Sequence, residues 1–143
     1  MIDFSLVKLA RTDEDLLQCK KVLMEFRPIL TEENFLPTLR EMLAGGYNIA
    51  YVLEENIAVA AIGYRYLQFL HCGKHFYIDD LTTLPQARKK GYGTLLLEFI
   101  FEEARSKGFE VVTLDSGFHR LDAHRLYLNN GFNIASLHFV KKL

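Results

Sequence analysis

Arg88-Lys89-Lys90-Gly91-Tyr92-Gly93 lies between a β-branched, aromatic stretch and a run of helix formers, and it restricts the fold more than any other segment. Upstream, Phe76 to Leu84 reads as a strand closed by Pro85. Downstream, Thr94 to Lys107 is dense in Leu, Phe, Ile and Glu and contains no Gly or Pro. A strand that feeds a helix through two glycines and three cations is built to hold phosphate. Glycine lets backbone N–H groups approach an anion, the helix start adds partial positive charge, and the cations offset what remains. The plainer alternative is a tight strand-to-helix turn, but three adjacent cations favour phosphate.

The 143 residues suffice for one compact domain, 1–143, with a substantial core and no room for a second. Half the residues are apolar, so order is expected throughout. With 17 basic against 18 acidic residues, bulk positive charge is absent and nucleic acid is not an expected partner. Cys19 and Cys72 match neither a disulfide framework nor a zinc spacing, which suits a reducing compartment. The start, Met1-Ile2-Asp3-Phe4, lacks the pattern of a signal peptide, and no apolar run nears the roughly 18 residues of a membrane span. A soluble, cytoplasmic protein without membrane association is the expectation.

Elements alternate along the chain without linkers or repeats. Phe4 to Leu9 reads as a first strand. Thr12 caps a helix whose first turn holds Asp13, Glu14 and Asp15, whose apolar face carries Leu16, Leu17, Val22, Leu23 and Phe26, and which Pro28 stops. A second helix starts at Thr31-Glu32-Glu33-Asn34 and runs to Gly45-Gly46. Tyr47 to Leu53 and Ile57 to Phe69 are strands around a turn at 54–56. After the long helix come a buried strand from Phe109 to Leu114, a short helix from Arg120 to Asn129 ended by Gly131, and a closing strand from Phe132 to Val140. The order β-α-α-β-β-β-α-β-α-β implies an α/β fold, a mixed sheet with helices on both faces.

That order, with the residues around it, resembles the GNAT superfamily of N-acetyltransferases, most strongly over 78–132. Arg88, Gly91 and Gly93 match the family's acetyl-CoA loop, Arg/Gln-x-x-Gly-x-Gly/Ala. Asp80-Leu81-x-Thr83-x-Pro85 fits the strand before it, and Ala123-x-x-Leu126-Tyr127-x-x-x-Gly131-Phe132 fits its second motif. One departure is Arg120, where the family often has Asn. The resemblance implies a mostly antiparallel central sheet, acetyl-CoA as cosubstrate, and direct transfer to a primary amine without a metal. Leu81, Thr82 and Thr83 would pair with the pantetheine arm, given a local splay of the sheet, and the Thr83 N–H would face the carbonyl oxygen. Arg88, Lys89, Lys90, Gly91, Tyr92, Gly93 and Thr94 would hold the pyrophosphate. Tyr127 is placed to protonate the departing thiolate.

Several of these residues keep a second reading. Tyr127 on an amphipathic helix also suits packing. Asp79 and Asp80 are adjacent carboxylates in an apolar strand, expected one on each face. They serve either a salt bridge within the fold or a substrate or base role. His71, Cys72 and His75 read as exposed turn residues, and His119 and His124 as surface residues able to assist proton removal. Residues 24–36 and 64–80, with Phe26, Arg27, Phe35, Tyr64, Tyr66, Phe69 and Tyr77, are the expected acceptor region for a small-molecule or peptide amine. A catalytically silent acyl-CoA-binding sensor or interaction module is one rival reading, and a nucleotide-binding regulatory module is another, against which the absence of Gly-Lys-Ser/Thr and of a Gly-x-Gly-x-x-Gly run counts. The final strand offers an open edge for a homodimer.

Overall fold

The computed structural model describes residues 1–143. Five strands form one sheet in the order β1-β2-β3-β4-β5: β1 Val7–Leu9, β2 Asn48–Glu54, β3 Ile57–Phe69, β4 Gly73–Thr83 and β5 Val112–Leu114. Successive pairs are antiparallel up to β4, and β5 lies parallel to β4. The parallel pair needs a crossover, which α4 (Tyr92–Ser106) supplies.

Both faces of the sheet are covered, so β2 and β3 read as nearly unbroken apolar runs. Alternate side chains of β2 divide between two cores. Ile49 and Tyr51 join Leu16, Val22, Leu23, Phe35 and Leu39 beneath α1 (Asp13–Gln18), α2 (Lys20–Phe26) and α3 (Phe35–Ala44). Ala50 and Val52 join Leu96, Leu97, Ile100 and Ala104 of α4 on the other side. Those four recur at helical spacing and are almost fully buried. Each large apolar side chain among them stabilises the fold by roughly 1.5–3 kcal/mol.

The first helix is interrupted once, at Cys19, which is fully buried at the joint between α1 and α2. Thr31 and Asn34 cap each other, with each backbone N–H donating to the other's side chain, so α3 begins only at Phe35. His75 departs from its expected exposure: it is fully buried, with its ring 4.8 Å from Phe69. The expected closing strand is absent. After α5 (Leu121–Asn129) and Gly131 the chain has no regular structure, and Ile134, Leu137, Phe139, Val140 and Leu143 are exposed. Apolar residues fall on both alternating positions of 132–140, so the pattern selects no register, and β5 offers only three residues to pair with. No helix is long and apolar enough to cross a membrane.

Candidate active site

β4 changes character halfway along. Its pairing with β5 covers only Phe76, Ile78 and the residue between them, and ends at Ile78–Leu114. On its other side it stays paired with β3, but with an irregularity: Tyr64 faces Ile78 and Gly63 faces Asp80, so Asp79 is an extra residue. This bulge has two consequences. It shifts the parity of the strand, and it cancels the alternation of side chains at 79–80.

The parity shift decides which amides face outward. Leu84 N–H donates to Val59 O at 2.8 Å, so Thr83–Ala60 and Leu81–Ile62 are pairs whose backbone groups point away from β3. They point to the side β5 has vacated. The splay expected at 81–83 is therefore present, with the Thr83 N–H on the open edge. Arg88 Nε donates to Thr83 O at 3.3 Å and bridges the edge to the following loop. Ser116 Oγ, just beyond β5, is buried without a hydrogen-bond partner.

The loop itself has a left-handed backbone at Lys89 (φ 63°) and Gly91 (φ 86°), which caps α4 without a side-chain hydrogen bond. Nothing lies within 4 Å of where a Cβ on Gly91 would sit, so the space before the helix N-terminus is open. Lys90 and Tyr92 both bond Glu54, at 3.1 and 2.6 Å, anchoring the loop to the β2–β3 turn. Arg88, Lys89 and Thr94 are exposed, Leu81, Thr82 and Thr83 half-buried. Gly93 also has a packing role. A Cβ there would lie 3.1 Å from Leu126 Cδ2, so its missing side chain admits α5 against α4. These features fit a pyrophosphate and an extended amide-bearing arm.

The lost alternation decides where the carboxylates go. Instead of dividing between the faces, Asp79 and Asp80 line one cleft of about 300 Å³ with Arg27, Tyr47 and Tyr77, floored by Leu23 and Leu39. Arg27 Nε donates to Asp80 Oδ1 at 2.7 Å, and Arg27 Nη2 to the Asp79 carbonyl at 3.1 Å. Tyr47 Oη donates to Asp80 Oδ2 at 2.5 Å. Arg65 holds Asp79 through Nε at 3.0 and 3.1 Å and through Nη2 at 2.9 Å. Burial pushes the Asp79 carboxyl above its ordinary range, against the pull of the Arg65 hydrogen bond. Burial also pushes the Tyr47 phenol well up, with the Asp80 charge adding to it.

Tyr47 reaches this position because Gly63 has no side chain. A Cβ on Gly63 would lie 1.7 Å from the Tyr47 hydroxyl oxygen. Tyr47 and Gly63 lie outside the expected site, and Arg65, inside the expected acceptor region 64–80, is not singled out there. One signal pointed to Arg65: it is the single cation in the apolar run of β3, as Asp79 and Asp80 are the carboxylates in that of β4.

Tyr127 is half-buried on α5, edge-to-face with Phe132 at 5.7 Å. Burial raises its phenol, while Arg120 and then Arg27 draw it down, so both cations stand near it. Of the other expected acceptor residues, Phe35 and Tyr64 belong to the core, and Tyr66 packs at 4.6 Å on Phe76. His119 is exposed, and a ring nitrogen of His124, Nε2, lies 2.8 Å from Gly117 O.

The five-stranded mixed sheet, whose fourth and fifth strands part beside a glycine-capped helix, is an α/β fold with helices on both faces. The sequence profile of the Acetyltransferase (GNAT) family matches residues 14–132. The chain belongs to that family and is an acetyl-CoA-dependent N-acetyltransferase. It is 34% identical over 137 residues to the uncharacterized N-acetyltransferase YhdJ of Bacillus subtilis, covering 94% of this chain and 96% of that one. It is 39% identical over 66 residues to the aminoalkylphosphonate N-acetyltransferase of Salmonella typhimurium, covering 46% and 43%. The fold matches the aminoglycoside acetyltransferase AAC(6′)-Iy, solved with the bisubstrate analogue CoA-S-monomethyl-acetylneamine. That match has a TM-score of 0.80 over 97% of this chain and 99% of that one, at 14% identity.

Proposed function

We propose that this chain acetylates a primary amine of a small molecule or peptide by direct attack in a ternary complex. One observation carries the reading: the unpaired edge of β4 lies between an open helix N-terminus and a cleft that holds two carboxylates. Acetyl-CoA, when bound, supplies the thioester and a thiolate that must leave with a proton.

Each part of the site has a task. The outward N–H and C=O groups of Leu81 and Thr83 bind the peptide-like arm as an added strand would. The first amides of α4, with Lys89 and Arg88, receive phosphate, and Gly91 leaves it room. The Thr83 N–H turns toward the carbonyl whose oxygen gains charge. Asp79 and Asp80 orient the amine in the cleft. Asp79, its proton affinity raised by burial, takes the proton the amine must lose. Tyr127 keeps its hydroxyl proton until the sulfur departs, since burial disfavours the phenolate.

Ligand-induced stabilisation tests the cofactor half. At one hundred times its dissociation constant, acetyl-CoA should stabilise the protein by about 2.7 kcal/mol, while ATP and NAD leave the melting temperature unmoved. Tyr127→Phe tests the chemistry. Turnover should fall about 10²-fold with CoA affinity unchanged, because the hydroxyl acts only as the thiol leaves. A melting temperature indifferent to CoA and acetyl-CoA would refute the assignment.

A further inference from the structure

Both carboxylates that line the cleft already have cationic partners. Arg27 pairs with Asp80 and Arg65 with Asp79, so each carboxylate is already neutralised. Arg120 adds a third guanidinium, which enters no ion pair and donates no side-chain hydrogen bond. It packs on the Phe26 ring with Cζ 4.6 Å from the centroid, and Arg27 packs on the same ring at 4.2 Å. Two like charges on one ring repel, and the stack holds each for only about 0.5–1 kcal/mol when exposed. Arg27 has its anion in Asp80, whereas Arg120 has none. Arg120 also stands where the matching motif often carries a neutral Asn.

We infer that Arg120 and Arg27 form a guanidinium clamp that selects an acceptor carrying a carboxylate, phosphonate or phosphate close to its primary amine. The inference rests on the acetyl-transfer reading and narrows its acceptor class. Planar guanidinium forks bind such oxygens in pairs, which gives both orientation and affinity. With the anion held at Phe26, the amine end of a short molecule reaches toward Asp79 and Asp80, on the side from which Arg27 already donates to both residues. Both cations also influence Tyr127, so the clamp borders the place where the proton is held.

The experiment pairs acidic amines with neutral matches: 2-aminoethylphosphonate and β-alanine against ethanolamine and β-alaninamide. Calorimetry on the CoA-saturated protein reads the clamp without turnover. The acidic amines should bind at least tenfold more tightly than their neutral matches, and preference between phosphonate and carboxylate identifies the head group. Arg120→Asn should remove about 10- to 100-fold of that preference. It should leave affinity for the neutral amines and for CoA within twofold, and Arg120→Lys should restore part of the loss. Equal binding of acidic and neutral amines, or no binding of either, overturns the clamp. So does an Arg120→Asn variant that loses affinity for CoA instead, which would assign the cation to the cofactor's phosphates. A clamp that passes this test while no bound amine is acetylated would instead break the transfer reading, so the two fail separately.

Discussion

Two tyrosines four residues apart send their hydroxyls to carboxylates, and only one of those carboxylates belongs to the cleft. Tyr51 donates to Asp15 Oδ1 at 3.1 Å, and Tyr47 to Asp80 Oδ2 at 2.5 Å. Both phenols sit in the same core and are pushed up chiefly by burial. The carboxylates differ in their remaining partners. Asp15 accepts from the backbone N–H groups of Arg11 and Thr12 at 2.8 and 3.0 Å, closing the capping box of α1, and these bonds hold it below its ordinary range. Asp79 and Asp80 are held by side-chain guanidinium groups at the mouth of a cleft. Backbone partners are fixed by the course of the chain at the helix start. Side-chain partners can swing, so a substrate cation can share the carboxylates they hold.

The sharpest way to break this contrast is Gly63→Val. The new side chain would occupy the Tyr47 hydroxyl's position and drive the ring out of the cleft. Acetyl transfer should fall by more than about 10²-fold, and urea denaturation should show a loss of about 1–3 kcal/mol from overpacking. A fully active Gly63→Val enzyme would mean that Tyr47 does not orient Asp80.

Removing one hydroxyl at a time is gentler. Tyr47→Phe should lower kcat/KM about tenfold, the worth of a hydrogen bond to a charged group. Tyr51→Phe should leave kcat/KM within about twofold and cost about 1 kcal/mol of stability. Measuring both quantities in both variants decides the matter, since an inverted pattern would exchange the structural and chemical roles.

The smallest effect concerns pH. Asp15 has its folded pKa lowered from 3.8, so its contribution is present above that value and is lost as pH falls through the folded one. Asp15→Asn should be about 1 kcal/mol less stable at neutral pH, as for a lost cap, and the difference should shrink below about pH 3.8. Asp79 has the opposite sign. Its folded pKa is raised, so the fold loses stability as pH climbs from 3.8 through that value. Parallel acid unfolding curves for the Asp15→Asn and parent proteins would contradict the assignment.

The sequence predicted some elements better than others, for local reasons. The bounds of β3 are read correctly because its first half, buried on both faces, is an apolar run, and turn residues flank the strand at both ends. The helix after the loop begins two residues earlier than read, because Gly91 in the left-handed region serves as its cap. The placement of Asp79 and Asp80 was misread because a period of two cannot register an inserted residue, and the bulge depends on the partner strand. Tyr47, Gly63 and Asp80 meet across three elements, a relation carried by no local pattern. The tail at 132–140 looks like a strand by composition, yet composition names no partner.

The fit of Gly93 against Leu126 ties the two motifs together mechanically. Leu126 precedes Tyr127, so a large side chain at 93 would press on α5 beside the tyrosine. The phosphate loop is therefore not a portable cassette. A graft that put a bulky β-branched residue at this position would call for a smaller residue at 126, whereas an alanine asks only a few tenths of an ångström of the Leu126 side chain.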